Sequence, residues 1–317
     1  QQLRKVDTAM SCDFRTLSGE ELHTVCKALR AQYETIKEKG LSLDMSRGKP
    51  SPCQLGFSDA MLTALADSGD CKTDAGFDTR NYGLPNGVPE LSRIMAELLG
   101  VHENEIVLGG NSSLTMMYDA VCRAMFFGTD SVSAPWKDQG TVKFLCPAPG
   151  YDRHFAITER FGIEMLPVPM TGHGPDMDMV EALAQSDAAV KGMWCVPKYS
   201  NPTGETYSEE TVRRIASLRP AAPDFRVFWD MAYALHDLDS TPDELLNIFA
   251  LTRGTENENL VLGFFSTSKI TYAGAGVAMM ISGADNVKRA RAEIAYQTIS
   301  PDKMNQLRHA RYLACAD

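Results

Sequence analysis

The chain has 317 residues, of which 44% are hydrophobic and 23% charged, and a formal net charge of −10; this is enough for one large core or two domains and too apolar for disorder. The acidic balance and the lack of any Lys/Arg block argue against nucleic-acid and anionic-membrane surfaces, leaving small molecules as the expected partners. No apolar run approaches the roughly 20 residues that span a bilayer, and the amino end QQLRKVDTAM lacks an apolar signal segment, so a cytoplasmic protein is expected.

In chain order, SGEELHTVCKALRAQYETIKEKG places Leu22, Val25, Cys26, Leu29, Tyr33 and Ile36 on one helical face, with Ser18 as N-cap and Gly40 as the stop. LDMSRGKPSP then reads as an irregular turn segment. Seven short apolar runs follow as strands: EIVLGG, VKFLCP, EMLPVPM, VKGMWCVP, FRVFWD, NLVLGFFS and GVAMMIS. Between most of them lie helix-like stretches such as SLTMMYDAVCRAMFFG, DRHFAITERFG, DMDMVEALAQ and SEETVRRIASLR, and PDKMNQLRHARYLACAD closes the chain. Strands apolar on both faces and separated by crossover helices predict an α/β fold, a mostly parallel sheet covered on both sides. The eight cysteines (Cys12, Cys26, Cys53, Cys71, Cys122, Cys146, Cys195 and Cys315) form no CxxC, and the six histidines form no HExxH. The cysteines read as small hydrophobes in a reducing compartment, and no metal site is expected.

In such a sheet, ligands bind beyond the carboxyl ends of the strands. Asn111-Ser112-Ser113 follows EIVLGG and opens a helix, offering N–H groups and hydroxyls to an anion, or only an ordinary N-cap. Tyr151 follows KFLCP, and Asn201 in the turn KYSNPTG follows MWCVP. Asp230 ends FRVFWD with Tyr233 three residues on, and Lys269 in STSK follows VLGFF. Each has an ordinary explanation: a cap, a packed ring, a turn, a surface lysine. Together they supply an anion cup, an aromatic plate, an amide, an acid and a lysine, the set that pyridoxal 5'-phosphate requires: an amine for its aldehyde, an acid for its ring nitrogen, and an amide and phenol for its ring oxygen.

The phrases RNYGLPNGVPE, GGNSSLTMMYD, CPAPGYDRHF, VPKYSNPTG, FWDMAYALHDL and STSKITYAGAG carry a resemblance, over nearly the whole chain, to the fold type I, class I aminotransferases, in particular the aspartate aminotransferase subgroup of MocR-like kind. The resemblance implies that Lys269 forms the Schiff base with the cofactor and that Asp230 partners the pyridine nitrogen. It further implies that Asn201 and Tyr233 bind the ring oxygen, that Tyr151 stacks on the ring, and that Ser112, Ser113 and Ser266 hold the phosphate. His154 would support Asp230, Tyr82 would reach the phosphate from the neighbouring subunit of a homodimer, and Gly48 with Asn201 would lie beside the substrate. The expected organisation is an N-terminal helix and arm over residues 1–55 contributing to a small domain, a large cofactor-binding domain over 56–317, and a carboxyl-terminal small domain mostly absent from this chain. Two departures stand out. The region after Lys269 reads YAGAGVA, without the phosphate-pairing arginine of the family, which leaves Arg80 as a candidate. The arginine that grips the substrate α-carboxylate belongs to the absent region. The implied reaction is transfer of an amino group between aspartate or glutamate and a 2-oxo acid, the alternatives being a lyase or decarboxylase on the same fold or a non-catalytic cofactor-binding sensor.

Overall fold

The computed structural model describes residues 13–42 and 49–315, and the chain divides into two compact units, Gln1–Lys49 and Pro50–Asp317. In the first unit α1 (Gly19–Glu38) starts at the expected Ser18: the Ser18 hydroxyl accepts from the Glu21 N–H and the Glu21 carboxylate accepts from the Ser18 N–H. This reciprocal capping fixes the first turn. The apolar face forms as read, with Phe14 beside Leu22, Val25, Cys26, Leu29 and Tyr33, yet the helix buries none of its residues.

The second unit contains α2 (Pro52–Gly56), α3 (Pro89–Leu99), β1 (Ile106–Leu108), α4 (Ser113–Phe127), β2 (Lys143–Ala148), α5 (Asp152–Arg160), β3 (Glu164–Pro169) and α6 (Met177–Ser186). It continues with β4 (Val190–Cys195), α7 (Glu209–Ala216), β5 (Arg226–Asp230), α8 (Ile248–Thr252), β6 (Val261–Ser266), β7 (Ala278–Ile281), α9 (Ala284–Gln297) and α10 (Lys303–Leu313). All seven expected strands form one sheet in the order β1-β7-β6-β5-β4-β2-β3. The pairs β2/β3, β2/β4, β4/β5 and β5/β6 are parallel, whereas β7 runs antiparallel to both β6 and β1. The segment 267–277 that joins β6 to β7 is too short for the dozen or more residues a parallel crossover needs, so β7 must turn back. Because β7 opposes both neighbours, β1 and β6 point the same way and deliver their carboxyl ends to one edge.

Alternate residues of the central strands feed two cores. Leu145, Val227, Trp229, Val261 and Phe265 pack with α3, α6, α7 and α8, while Phe144, Phe228, Leu262 and Phe264 pack with α4, α5 and α9. This is the period-2 alternation of a sheet covered on both faces. Burying each such large side chain contributes about 1.5–3 kcal/mol. β3 departs from the expected doubly covered strand: it lies at the sheet edge, mostly exposed, with Val168 its one buried residue. Edge position is also what tolerates Pro167 and Pro169 there. Among the described residues no helix is long and apolar enough to cross a membrane.

Candidate active site

The carboxyl edge of the sheet gathers most of the expected residues. Asp230, the last residue of β5, is 4% exposed. Its Oδ2 accepts from His154 Nε2 at 3.0 Å and its Oδ1 from the Ala232 N–H at 3.1 Å. An ionised carboxylate only accepts, so His154 carries its proton on Nε2. The His154 ring, 1% exposed on α5, stacks on the Trp194 indole at 4.6 Å and 11°, and Tyr151 meets it edge-on at 5.1 Å. The histidine is thereby clamped between two aromatic rings with one freedom left, its hydrogen bond to the acid. Burial raises the Tyr151 phenol's pKa, and the negative charge of Asp230 raises it further, which puts the phenol within electrostatic reach of the acid.

Lys269 ends a short turn (Thr267–Lys269) directly after β6. Its ammonium lies 5.0 Å from the centre of the Tyr233 ring, a cation–π contact across the ends of β5 and β6. The side chain is exposed to the open edge of the sheet rather than buried, so the aromatic face, not desolvation, orients it. His236 Nε2–H donates to the Lys269 carbonyl at 3.2 Å. Burial pushes the His236 pKa down, and the positive charges of Lys269 and Lys198 add to that effect. The imidazole is therefore neutral, with Nδ1 buried and without a hydrogen-bond partner among the described residues.

The anion cup is built from two loops that β1 and β6 bring side by side. Ser112 caps α4, its Oγ accepting from the Thr115 N–H at 3.3 Å, and Ser113 opens the helix with its free N–H groups. Ser266 Oγ donates to Ser268 Oγ at 3.1 Å, and Ser268 Oγ reaches the Asn111 carbonyl at 3.4 Å. Ser268 thus ties the two loops together. Gly276 makes room for it: a Cβ there would come 3.0 Å from both the Ser268 nitrogen and hydroxyl.

Asn201 lies exposed on the loop after β4, two residues beyond Tyr199, which holds a left-handed φ of 48°. Tyr82 stands 76% exposed, and no side-chain bond ties its ring to the other site residues among the described residues. Gly48 lies outside the described residues. Arg80 is already engaged, with Asp78 accepting from its Nε and Nη2 at 2.9 and 2.5 Å. Sequence reading missed Ser268, Trp194, His236 and Lys198, whose ammonium pairs with Asp237 at 3.1 Å. Ser268 was within reach, as the second serine of STSK beside a named one; Trp194 looked like any core residue of an apolar strand.

An amine, an acid backed by a histidine, phenols, an amide and a hydroxyl cup at a helix start suit a flat, phosphorylated aromatic aldehyde. The profile of the family described as Aspartate amino-transferase matches residues 17–317. The chain belongs to the aspartate amino-transferase family. Membership makes it an enzyme of the aminotransferase kind. An aspartate aminotransferase of Corynebacterium glutamicum is 44% identical over 315 residues, 99% of this chain and 72% of that protein. A Mycolicibacterium smegmatis protein named as an aminotransferase is 47% identical over 305 residues, 96% of this chain and 71% of its own length. Among solved structures, an aspartate transaminase from Corynebacterium glutamicum superposes with a TM-score of 0.87 at 45% identity, covering 95% of this chain and 71% of that one. A Thermus thermophilus alpha-aminoadipate aminotransferase, TM-score 0.64 at 20% identity over 85% of this chain and 63% of that one, has the same fold.

Proposed function

We propose that this aminotransferase uses pyridoxal 5'-phosphate to move an amino group between aspartate or glutamate and a 2-oxo acid. The observation that carries the reading is the Asp230–His154–Trp194 stack beside the Lys269–Tyr233 pair, at the ends of adjacent strands. When bound, the cofactor supplies a carbonyl that captures amines and an electron-poor ring that accepts the electrons released when the substrate loses its α-proton.

The residues divide the remaining work. The Asp230 carboxyl sits in a nearly dry setting, where it would face a ring nitrogen and hold a proton there, and His154 orients it by the hydrogen bond to Oδ2. Lys269 Nζ would be the amine that holds the cofactor's carbonyl carbon and, once free, the base positioned to take the substrate α-proton. The Tyr233 phenol and the Asn201 amide orient the ring oxygen, and Tyr151 covers the ring. Ser112, Ser113, Ser266 and Ser268 hold the phosphate with hydroxyls and helix-start N–H groups rather than with an arginine.

The same reading makes the protein a cytoplasmic homodimer in which Tyr82 completes the partner's phosphate site, with residues 1–55 serving a small domain. Purified protein given aspartate and 2-oxoglutarate should form glutamate and oxaloacetate; release of ammonia or carbon dioxide in their place would sink the assignment. Mixing Tyr82→Ala and Lys269→Ala chains under subunit exchange should restore activity, since a hybrid has one site with both residues intact. Hybrids that form and stay inactive would return Tyr82 to its own loop.

A further inference from the structure

The segment that carries Lys269 has two sides. Lys269 is exposed, whereas Thr267 before it and Thr271 after it are buried. The N–H groups of Ile270 and Thr271 close the turn on the Thr267 carbonyl at 3.0 and 2.8 Å, so the position of Thr267 sets that of the lysine backbone. Whatever fixes Thr267 acts from the buried side, where α10 packs.

A closed circuit of hydrogen bonds joins the two. His309 on α10, 0% exposed, has its Nδ1 2.8 Å from the Asn305 carbonyl and its Nε2 3.0 Å from the Thr271 hydroxyl. A carbonyl only accepts, so Nδ1 carries the ring proton. Burial lowers the His309 pKa and keeps the ring neutral, which leaves Nε2 as an acceptor. Thr271 therefore spends its one proton on His309. Its oxygen, 3.0 Å from the Thr267 hydroxyl, is left to accept from Thr267, and the Thr267 oxygen accepts in turn from the Val277 N–H at 2.9 Å. The circuit returns to α10 through Asn305, whose Nδ2–H donates to the Gly276 carbonyl at 2.9 Å. Both ends of the 267–277 connection are thereby fastened to one face of a single helix, by Asn305 and His309 one turn apart.

The helix does not need the circuit for its own place. Gln306 accepts from the Val88 N–H at 2.9 Å, and Leu307 and Ala310 are buried. Without the imidazole, Thr271 can turn its proton to the Thr267 carbonyl, also at 3.0 Å, so no hydroxyl is stranded and only the tie to α10 is cut. We propose that His309 is a positioning residue for Lys269: by accepting from Thr271 it fixes Thr267 and so aims the lysine amine at the carbonyl it captures. The inference rests on the proposed function and adds to it a group that touches neither cofactor nor substrate.

The test separates capture by Lys269 from occupancy of the site. The full chain, freed of cofactor, is mixed with pyridoxal 5'-phosphate, and condensation of the Lys269 amine with the aldehyde, which releases water, is trapped at intervals with borohydride and read by mass spectrometry of the Lys269 peptide. Binding of pyridoxamine 5'-phosphate, which has no aldehyde and forms no bond to the lysine, is measured in parallel by equilibrium dialysis. His309→Phe should slow condensation by about tenfold or more and leave pyridoxamine phosphate binding within about twofold of native, because a small misplacement of a reacting group costs rate without costing affinity. His309→Gln, whose amide oxygen can accept from Thr271, should restore most of the rate. Should His309→Phe fail to fold, Thr271→Val decides, since it keeps the shape and breaks the same link. Native-like condensation in these variants would overturn the proposal, as would equal losses for the two ligands, which would mean that the whole site had loosened. A native chain that forms no adduct on Lys269 would overturn the proposed function, and this inference with it.

Discussion

The proposed function divides the chemistry between Lys269 and Asp230, and each assignment can be tested alone. Borohydride treatment of the purified enzyme should fix the cofactor to Lys269 alone; Lys269→Ala should lose both the adduct and turnover, as mass spectrometry of the digested protein would report. An adduct on any other lysine contradicts the assignment. Asp230→Ala removes a preorganised charge in a nearly dry site, and such groups contribute about a hundredfold or more to rate. Turnover and exchange of the substrate α-proton for deuterium should therefore fall together by about that factor, while near-normal exchange would reduce Asp230 to a cap on the 231–234 turn. The positions of these two residues, and of Tyr151, Asn201 and Tyr233, at or just beyond the carboxyl ends of strands were legible in the sequence, because each lies at or shortly after the end of an apolar run. Trp194 and Ser268 were not. The indole that clamps His154 is one of six buried residues in its strand, and its role is set by what stacks on it across the sheet, which strand pattern cannot encode.

At the scale of elements, all seven strands and the mostly parallel character of the sheet were readable from apolar runs and crossover helices, but the reversal of β7 and the strand order were not. The reversal of β7 follows from the length of its connection, and the edge place of β3 from pairing partners that local sequence does not name. The helices α3 and α9 also escaped the reading: α9 has no side-chain cap, whereas α3 carries Pro89 at its start and Gly100 as its stop and was within reach. Where strands do meet, the fit is close enough to predict. A Cβ at Gly192 in β4 would sit 2.5 Å from Cζ of the fully buried Phe144 ring. Gly192→Ala should destabilise the protein by about 1–3 kcal/mol, read as a lower denaturation midpoint. Adding Phe144→Leu should recover part of that loss, since the ring edge that meets the new methyl is gone; strictly additive losses would show that the clash is relieved some other way.

Across the whole molecule, the sheet's β1 edge is tied to the far side of the chain by Glu105, which accepts from Arg253 Nε and Nη2, both at 2.8 Å, and from the His102 N–H at 2.7 Å. Burial alone would raise this carboxyl, but the bonds from Arg253 and His102 outweigh it and hold its pKa below the ordinary 4.5. A depressed carboxyl contributes stability that is fully present above its unfolded value and is lost as pH falls through the folded one. Urea unfolding should therefore show Glu105→Gln less stable than the native chain at pH 7, with the gap closing below about pH 4.5. A gap independent of pH would mean that shape, not charge, makes the contact.

The pairing of β1 with β7 sets a schedule for synthesis. Ile106 meets Ile281, so β1 leaves the ribosome long before its sole sheet neighbour exists. At about 5–20 residues per second, the apolar strand Ile106–Leu108 waits roughly 10–35 s without its partner. For most of that wait loop 111–113 exists without loop 266–268, the other half of the proposed phosphate cup. On the proposed function, a complete phosphate cup therefore forms only in chains synthesised through β7.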